Sequence, residues 1–116
     1  LDAKKILAFQ GPEFRNLDVS QQCEISQQIF EVSNLNNRMA YQLLPEISPF
    51  EKSQLTGPVL PGTVQITPAG NLMVLMREAQ TTGGYPRILQ LTAESINALA
   101  QLKTGDTFRI KILPLN

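Results

Sequence analysis

The run Leu72-Met73-Val74-Leu75-Met76 is apolar at every position, and it limits the folds open to this chain more sharply than any other stretch. It follows Thr63-Val64-Gln65-Ile66-Thr67, which alternates polar with β-branched residues, and the turn sequence Pro68-Ala69-Gly70-Asn71. The three pieces predict a β-hairpin. A strand without polar residues needs cover on both faces. A barrel or sandwich interior supplies that cover and an exposed meander does not.

Other segments predict more strands. Lys4 to Phe9 predicts one, ended by Gln10-Gly11-Pro12. Ile29 to Val32, Arg38 to Leu44 and Arg87 to Leu91 predict three, and Asp106 to Leu113 closes the chain with strict alternation from Phe108 to Ile112. Ser33-Asn34-Leu35-Asn36-Asn37 reads as an asparagine-rich connection. Pro12 to Leu17 suits a short helix with proline at its start, and Ser20 to Glu24 a further turn of helix or a loop. Ile47 to Pro61 holds three prolines and reads as an extended surface loop, with one short strand around Ser53 to Thr56. Thr92 predicts an N-cap with Glu94 in the first turn, and Ile96, Leu99 and Ala100 form the apolar face of a helix of about ten residues. With about seven strands and no β-α-β alternation, the fold class is mainly β: a closed antiparallel β-barrel with one or two capping helices.

A length of 116 residues fits one compact domain. Hydrophobic residues at 42% and charged ones at 17% allow a core and exclude wholesale disorder. Ten basic residues balance ten acidic ones without a run of either sign, so neither nucleic acid nor an anionic membrane is expected as a partner. There is no histidine, and Cys23 is the one cysteine. A Ser-His-Asp or Cys-His relay, a zinc site closed by cysteine and histidine, and an intramolecular disulfide are therefore excluded for this chain alone. No apolar stretch reaches the roughly 18 to 20 residues of a spanning helix, and no segment resembles a signal peptide. A soluble, cytoplasmic protein is expected. Leu1 in place of methionine suggests a chain cut from something longer.

The densest polar stretch runs from Arg77 to Arg87 and contains Glu78, Thr82, Gly83, Gly84 and Tyr85. Charged residues directly after a buried strand sit at its mouth, and the glycines expose backbone amides to an approaching carboxylate or small amide. The competing reading is that Gly83-Gly84 permits a tight turn which Tyr85 covers. Asn36-Asn37-Arg38 offers amides and a guanidinium able to grip a carboxylate, or equally a turn with a solvated charge. Gln65 points into a barrel cavity or outward to water, and alternation favours outward. Glu78 suits a general base only if burial raises its pKa. Met39, Met73 and Met76 read as core filling, and Cys23, without a basic neighbour in sequence, as an incidental thiol. No metal ligand set is expected.

Asn37-Arg38-Met39, Pro61-Gly62-Thr63-Val64-Gln65 and above all Gln80-Thr81-Thr82-Gly83-Gly84-Tyr85-Pro86 resemble the second half of the biotin-dependent carboxyltransferase-like proteins. That family is also described as allophanate hydrolase subunit 2, as the antagonist of a sporulation kinase inhibitor, and as the C subunit of the bacterial ATP-dependent 5-oxoprolinase. The likeness runs from Ile6 to Leu113. It implies a cyclophilin-like barrel and, since family members carry two such halves, that residues 1–116 are the C-terminal half of a two-barrel protein. It further implies a domain without catalysis of its own in an ATP-dependent amidohydrolase complex, of the 5-oxoprolinase or the allophanate and urea-amide type. Such a domain contributes to binding a small amide or lactam. ATP would bind in the full complex, and no cofactor would bind this domain alone. The implied partners are a paired smaller homologous subunit, equivalent to the 5-oxoprolinase B subunit or to the kinase inhibitor, and a lactam-utilisation-type subunit. The implied substrate-binding residues are Asn37, Arg38, Gln65, Glu78, Gln80, Thr81, Thr82, Gly83, Gly84 and Tyr85, at the mouth of a cleft. The alternative implied role is a regulatory module that docks on a kinase-inhibitor partner and antagonises it. The chain differs from the family in carrying Ala40 for a glycine, and Ala69-Gly70-Asn71-Leu72 for an aspartate-glycine turn followed by proline.

Overall fold

The computed structural model describes residues 4–49, 57–79 and 82–114, with Thr82 and Gly83 described by their backbone. Its strands are β1 (Lys4–Gln10), β2 (Ile29–Asn36), β3 (Ala40–Leu44), β4 (Gly57–Pro58), β5 (Thr63–Ile66), β6 (Leu72–Leu75), β7 (Thr82–Gly83), β8 (Arg87–Leu91) and β9 (Thr107–Ile112). Two α-helices, α1 (Val19–Gln27) and α2 (Ala93–Ala100), and a 3-10 turn at Phe14–Asn16 complete the set. Seven strands close a barrel in the order β1-β8-β5-β6-β3-β2-β9, and β4 pairs with β7 as a separate two-stranded ribbon.

The expected barrel is therefore present, with one departure from an all-antiparallel ring. β1 pairs with β9 in parallel, Lys4 opposite Phe108 through Ala8 opposite Ile112, while every other barrel pair is antiparallel. Parity requires this. Strand directions cannot alternate all the way around a closed ring of odd number, so at least one pair must run parallel.

The inward faces fill the barrel with Ile6, Ala8, Phe30, Val32, Leu43, Val64, Ile66, Leu72, Val74, Phe108 and Ile110, all buried. Phe30 and Phe108 are register partners on β2 and β9, their ring centroids 6.3 Å apart and tilted. In the hairpin the burial differs from expectation. The apolar strand β6 alternates buried with half-buried, whereas all four residues of β5 are buried. Gln65 does lie on the face opposite Val64 and Ile66, as alternation requires, but it is only 5% exposed and does not reach water. Its outer face is covered, and its Nε2 donates to the Tyr85 carbonyl at 3.5 Å.

Ser33 to Asn36, expected as a connection, continue β2, with an irregularity in the pairing between Val32 and Asn36. Local bonds absorb it: the Leu35 N–H donates to Ser33 Oγ, and Asn36 Nδ2 donates to the Ser33 carbonyl and to Thr104 Oγ1. Helix α1 is a full nine residues rather than one turn or a loop. Asp18 caps it by accepting from the Gln21 N–H while Gln21 Oε1 accepts from the Asp18 N–H, a reciprocal box written in the sequence as Asp18-x-x-Gln21. Pro12 to Leu17 yields only the 3-10 turn. Met76 is buried and Met73 half-buried, but Met39 sits in a turn at 46% exposure and fills no core. The strand expected around Ser53 to Thr56 lies outside the described residues. Helix α2 forms behind Thr92 Oγ1, which accepts from the Ser95 N–H. Among the described residues no helix is long and apolar enough to cross a membrane.

Candidate functional site

The site begins with the turn between β2 and β3. Asn37 Oδ1 accepts from the Met39 and Ala40 N–H groups at 2.7 and 3.0 Å, and its own N–H donates to the Ala40 carbonyl at 3.0 Å. The asparagine side chain thus shapes the turn. Pairing between β3 and β6 then continues past both strands: Met76 N–H donates to Met39 O, and Glu78 N–H to Arg38 O. That extension places Arg38 Nη1 3.6 Å from Glu78 Oε2, with the side chains 85% and 62% exposed. A long, wet pair of this kind separates at little cost, leaving both charges available to a ligand.

Helix α2 forms the facing wall. Arg77 Nη2 donates to Asn97 Oδ1 at 2.9 Å, and the Tyr41 hydroxyl points to the carbonyls of Ala100 and Leu102 at 3.4 and 3.3 Å. Between turn and helix lies a cleft of about 350 Å³, its floor made by Tyr41, Met76 and Ala100 and its rim by Asn37, Arg38, Arg77 and Glu78. The rim carries two guanidinium groups and one carboxylate above an apolar floor.

Three of the expected site residues, Asn37, Arg38 and Glu78, meet at this cleft. The other described ones do not line it. Thr82 and Gly83 pair through their backbone with Pro58 and Gly57 in the β4–β7 ribbon. Gln65 lies beneath the Tyr85 carbonyl, Tyr85 is 45% exposed, and a Cβ added at Gly84 would meet nothing within 4 Å. Gln80 and Thr81 lie outside the described residues. A second cleft, about 290 Å³, lies between Pro12, Pro58 and Leu60 on one side and Thr63, Leu89 and Gln90 on the other, with Arg87 at its edge. Gly84 and Tyr85 line neither cleft.

A family model described as carboxyltransferase domain, subdomain A and B, matches residues 2–112. The chain belongs to this carboxyltransferase-domain family. It is 37% identical over 103 residues to the 5-oxoprolinase C subunit of Escherichia coli (strain K12), covering 87% of this chain and 33% of that protein. Over 54 residues it is 43% identical to the corresponding 5-oxoprolinase protein of Haemophilus influenzae, covering 47% of this chain and 18% of that one. The chain thus spans about a third of the length of the Escherichia coli relative. Among solved structures, the urea carboxylase of Kluyveromyces lactis matches with a TM-score of 0.81 at 18% identity, over 97% of this chain and 11% of that one. That likeness is one of fold.

In this carboxyltransferase-family domain the most strongly held charges among the described residues are ones no motif marks. Arg87 Nε and Nη2 donate to the two Glu13 carboxylate oxygens, each at 2.9 Å, with the side chains 24% and 15% exposed. These hydrogen bonds hold the Glu13 carboxyl below its ordinary value, against the opposing effect of burial, and Glu13 raises Arg87 in turn. Tyr41 and Ala100, which make much of the cleft floor, also carry no local signal: one is a strand residue and the other the end of an amphipathic helix. Cys23 is exposed with a free thiol. Among the described residues no three acidic or cysteine side chains gather as a metal site needs.

Proposed function

We propose that this domain is part of one component of an ATP-dependent amidohydrolase complex and contributes the cleft between the Asn37 turn and α2 to binding a small amide or lactam. The observation that carries this reading is the convergence of Arg38 and Glu78, far apart in sequence, on the rim of one cleft with an apolar floor. A five-membered lactam acid such as 5-oxoproline has matching parts. Its carboxylate suits the two-pronged Arg38 guanidinium, its N–H suits the Glu78 carboxylate, and its ring methylenes suit Tyr41, Met76 and Ala100. The likeness to the 5-oxoprolinase C subunit supports the same substrate class. Phosphoryl chemistry with ATP is assigned to partners, a paired smaller subunit and a lactam-utilisation-type subunit, in keeping with a relative that is itself named as one subunit, C, of a 5-oxoprolinase. The setting proposed is the cytoplasm.

The test is 5-oxoproline-dependent ATP hydrolysis by the full-length protein coexpressed with those subunits. Arg38→Ala and Glu78→Ala should each lower kcat/KM by about 10- to 100-fold, the loss of one charge-assisted hydrogen bond to the ligand. Unchanged kinetics in both variants would remove the cleft from the reaction.

A further inference from the structure

We propose that Arg77, held in place by Asn97, makes the cleft selective for a carboxylate-bearing lactam or amide over an uncharged one. This rests on the ligand occupying the cleft as proposed above, and it names the residue that reads the ligand's charge.

A single turn delivers two charges to the rim. The Ala79 N–H donates to the Met76 carbonyl at 3.0 Å, so Arg77 and Glu78 are the corner residues of a turn just beyond β6. Their partners differ in kind. Glu78 faces the Arg38 guanidinium at 3.6 Å, and those two charges offset each other. Arg77 instead donates through Nη2 to Asn97 Oδ1 at 2.9 Å, a neutral acceptor on α2. Among the described residues no carboxylate stands within ion-pair distance of Arg77: the two ion pairs are Arg38 with Glu78 and Arg87 with Glu13.

An amide or a carboxylate at position 97 would orient the guanidinium alike, but only the carboxylate would neutralise it. Asn97 therefore fixes one nitrogen of Arg77 against the facing wall and cancels none of its charge. Two guanidinium groups against one carboxylate leave the rim with one positive charge over, above a floor of Tyr41, Met76 and Ala100 that carries no charged group. A ligand carboxylate brings the cleft to neutrality, and an uncharged amide or lactam does not. The N–H groups of Arg77 that Asn97 leaves unused supply charge-assisted donors for that carboxylate beside those of Arg38. The hold on α2 adds to this, because a long side chain already fixed loses less freedom when the ligand binds. Arg77 thus differs from a solvated surface arginine in lining the cleft and in being tied to its far wall.

The test uses the full-length protein with its partner subunits. It compares KM for 5-oxoproline in ATP hydrolysis with Ki of 2-pyrrolidinone, the same ring without the carboxylate, as a competitor. Wild type should favour the acid by at least about tenfold. Asn97→Asp keeps an accepting oxygen and neutralises Arg77, and Arg77→Gln removes the charge. Each should raise KM about 10- to 100-fold, with kcat and the Ki of 2-pyrrolidinone within about twofold of wild type. Asn97→Ala keeps the charge and removes the hold, and its KM should rise about threefold, the cost of ordering one side chain on binding. Both positions are exposed, so the fold should survive these changes. If Asn97→Asp loosens α2, Arg77→Gln decides. KM unmoved in the variants, or KM and Ki rising together, overturns the proposal. If wild type shows no response to 5-oxoproline, or Arg38→Ala and Glu78→Ala leave the kinetics unchanged, the proposed function fails and this inference with it. If those two variants respond and the changes at 77 and 97 do not, the charge selection alone fails.

Discussion

Glu13 and Arg87 show how much one side-chain pair can do when both partners are largely withdrawn from water. A carboxylate accepting three N–H bonds from one residue is stabilised in its charged form, which is why its pKa lies below the ordinary 4.5. A group whose folded pKa is depressed contributes stability above its unfolded pKa and loses it as pH falls through the folded value. Wild-type melting temperature should therefore fall as pH drops below 4.5. Glu13→Gln should cost about 1–2 kcal/mol at pH 7, because the amide keeps one accepting oxygen and sets an NH2 donor against an Arg87 N–H donor, and should flatten that acid limb. Thermal melts at pH 7 and pH 3 for both proteins check this, and parallel curves would contradict it. Arg38 and Glu78 are the opposite case. Their pair is exposed, so alanine at either position should leave the melting temperature within about 2 °C of wild type, and any kinetic loss is then a property of the cleft.

Short elements here owe their existence to single residues at their ends. Helix α1 has only Gln21 and Ile25 buried, and its first turn depends on Asp18. Asp18→Ala should cost about 1 kcal/mol in urea unfolding. Gln21 has a second task, since its Nε2 donates to the Ser48 and Pro49 carbonyls and ties the helix to the segment after β3. The β5–β6 turn rests on Gly70, with φ +94°, where a Cβ would fall 2.1 Å from the Ile47 carbonyl oxygen. Both the left-handed backbone and the close approach forbid a side chain, so Gly70→Ala should cost more than about 2 kcal/mol, read from the same urea curves. The sequence Pro68-Ala69-Gly70-Asn71 announces a turn, yet nothing in it announces Ile47 as the neighbour.

Closure of the barrel depends on the seam between β1 and β9, the one parallel pair, and on Phe108, which meets Phe30 across the β2–β9 pairing. Both rings are fully buried. Phe108→Ala should cost about 3–5 kcal/mol, the loss of a large apolar group plus the cavity left among strands that cannot collapse inward. Urea unfolding measures it, and a cost near that of a surface substitution would mean the ring is not at the centre of the core.

Strand, turn and helix positions were largely legible along the chain, because pleat period, turn chemistry and an N-cap are properties of neighbouring residues. The hairpin around Gly70, the helix behind Thr92 and the closing strand at Phe108 follow from such local rules, as does the mainly β class. The same rules led to error where distant residues intervened. Ser33 to Asn36 have turn-forming side chains, but β3 and Thr104 supply the partners that keep them in a strand. Gln65 alternates outward correctly, yet the chain around Tyr85 covers it. Of the candidate cleft, Asn37, Arg38 and Glu78 could be proposed from their types, whereas their meeting under α2, and the bond between Glu13 and Arg87, could not. Those contacts exist only once the ring has closed with a given register, and register is a relation between strands, each of which carries no record of its partner.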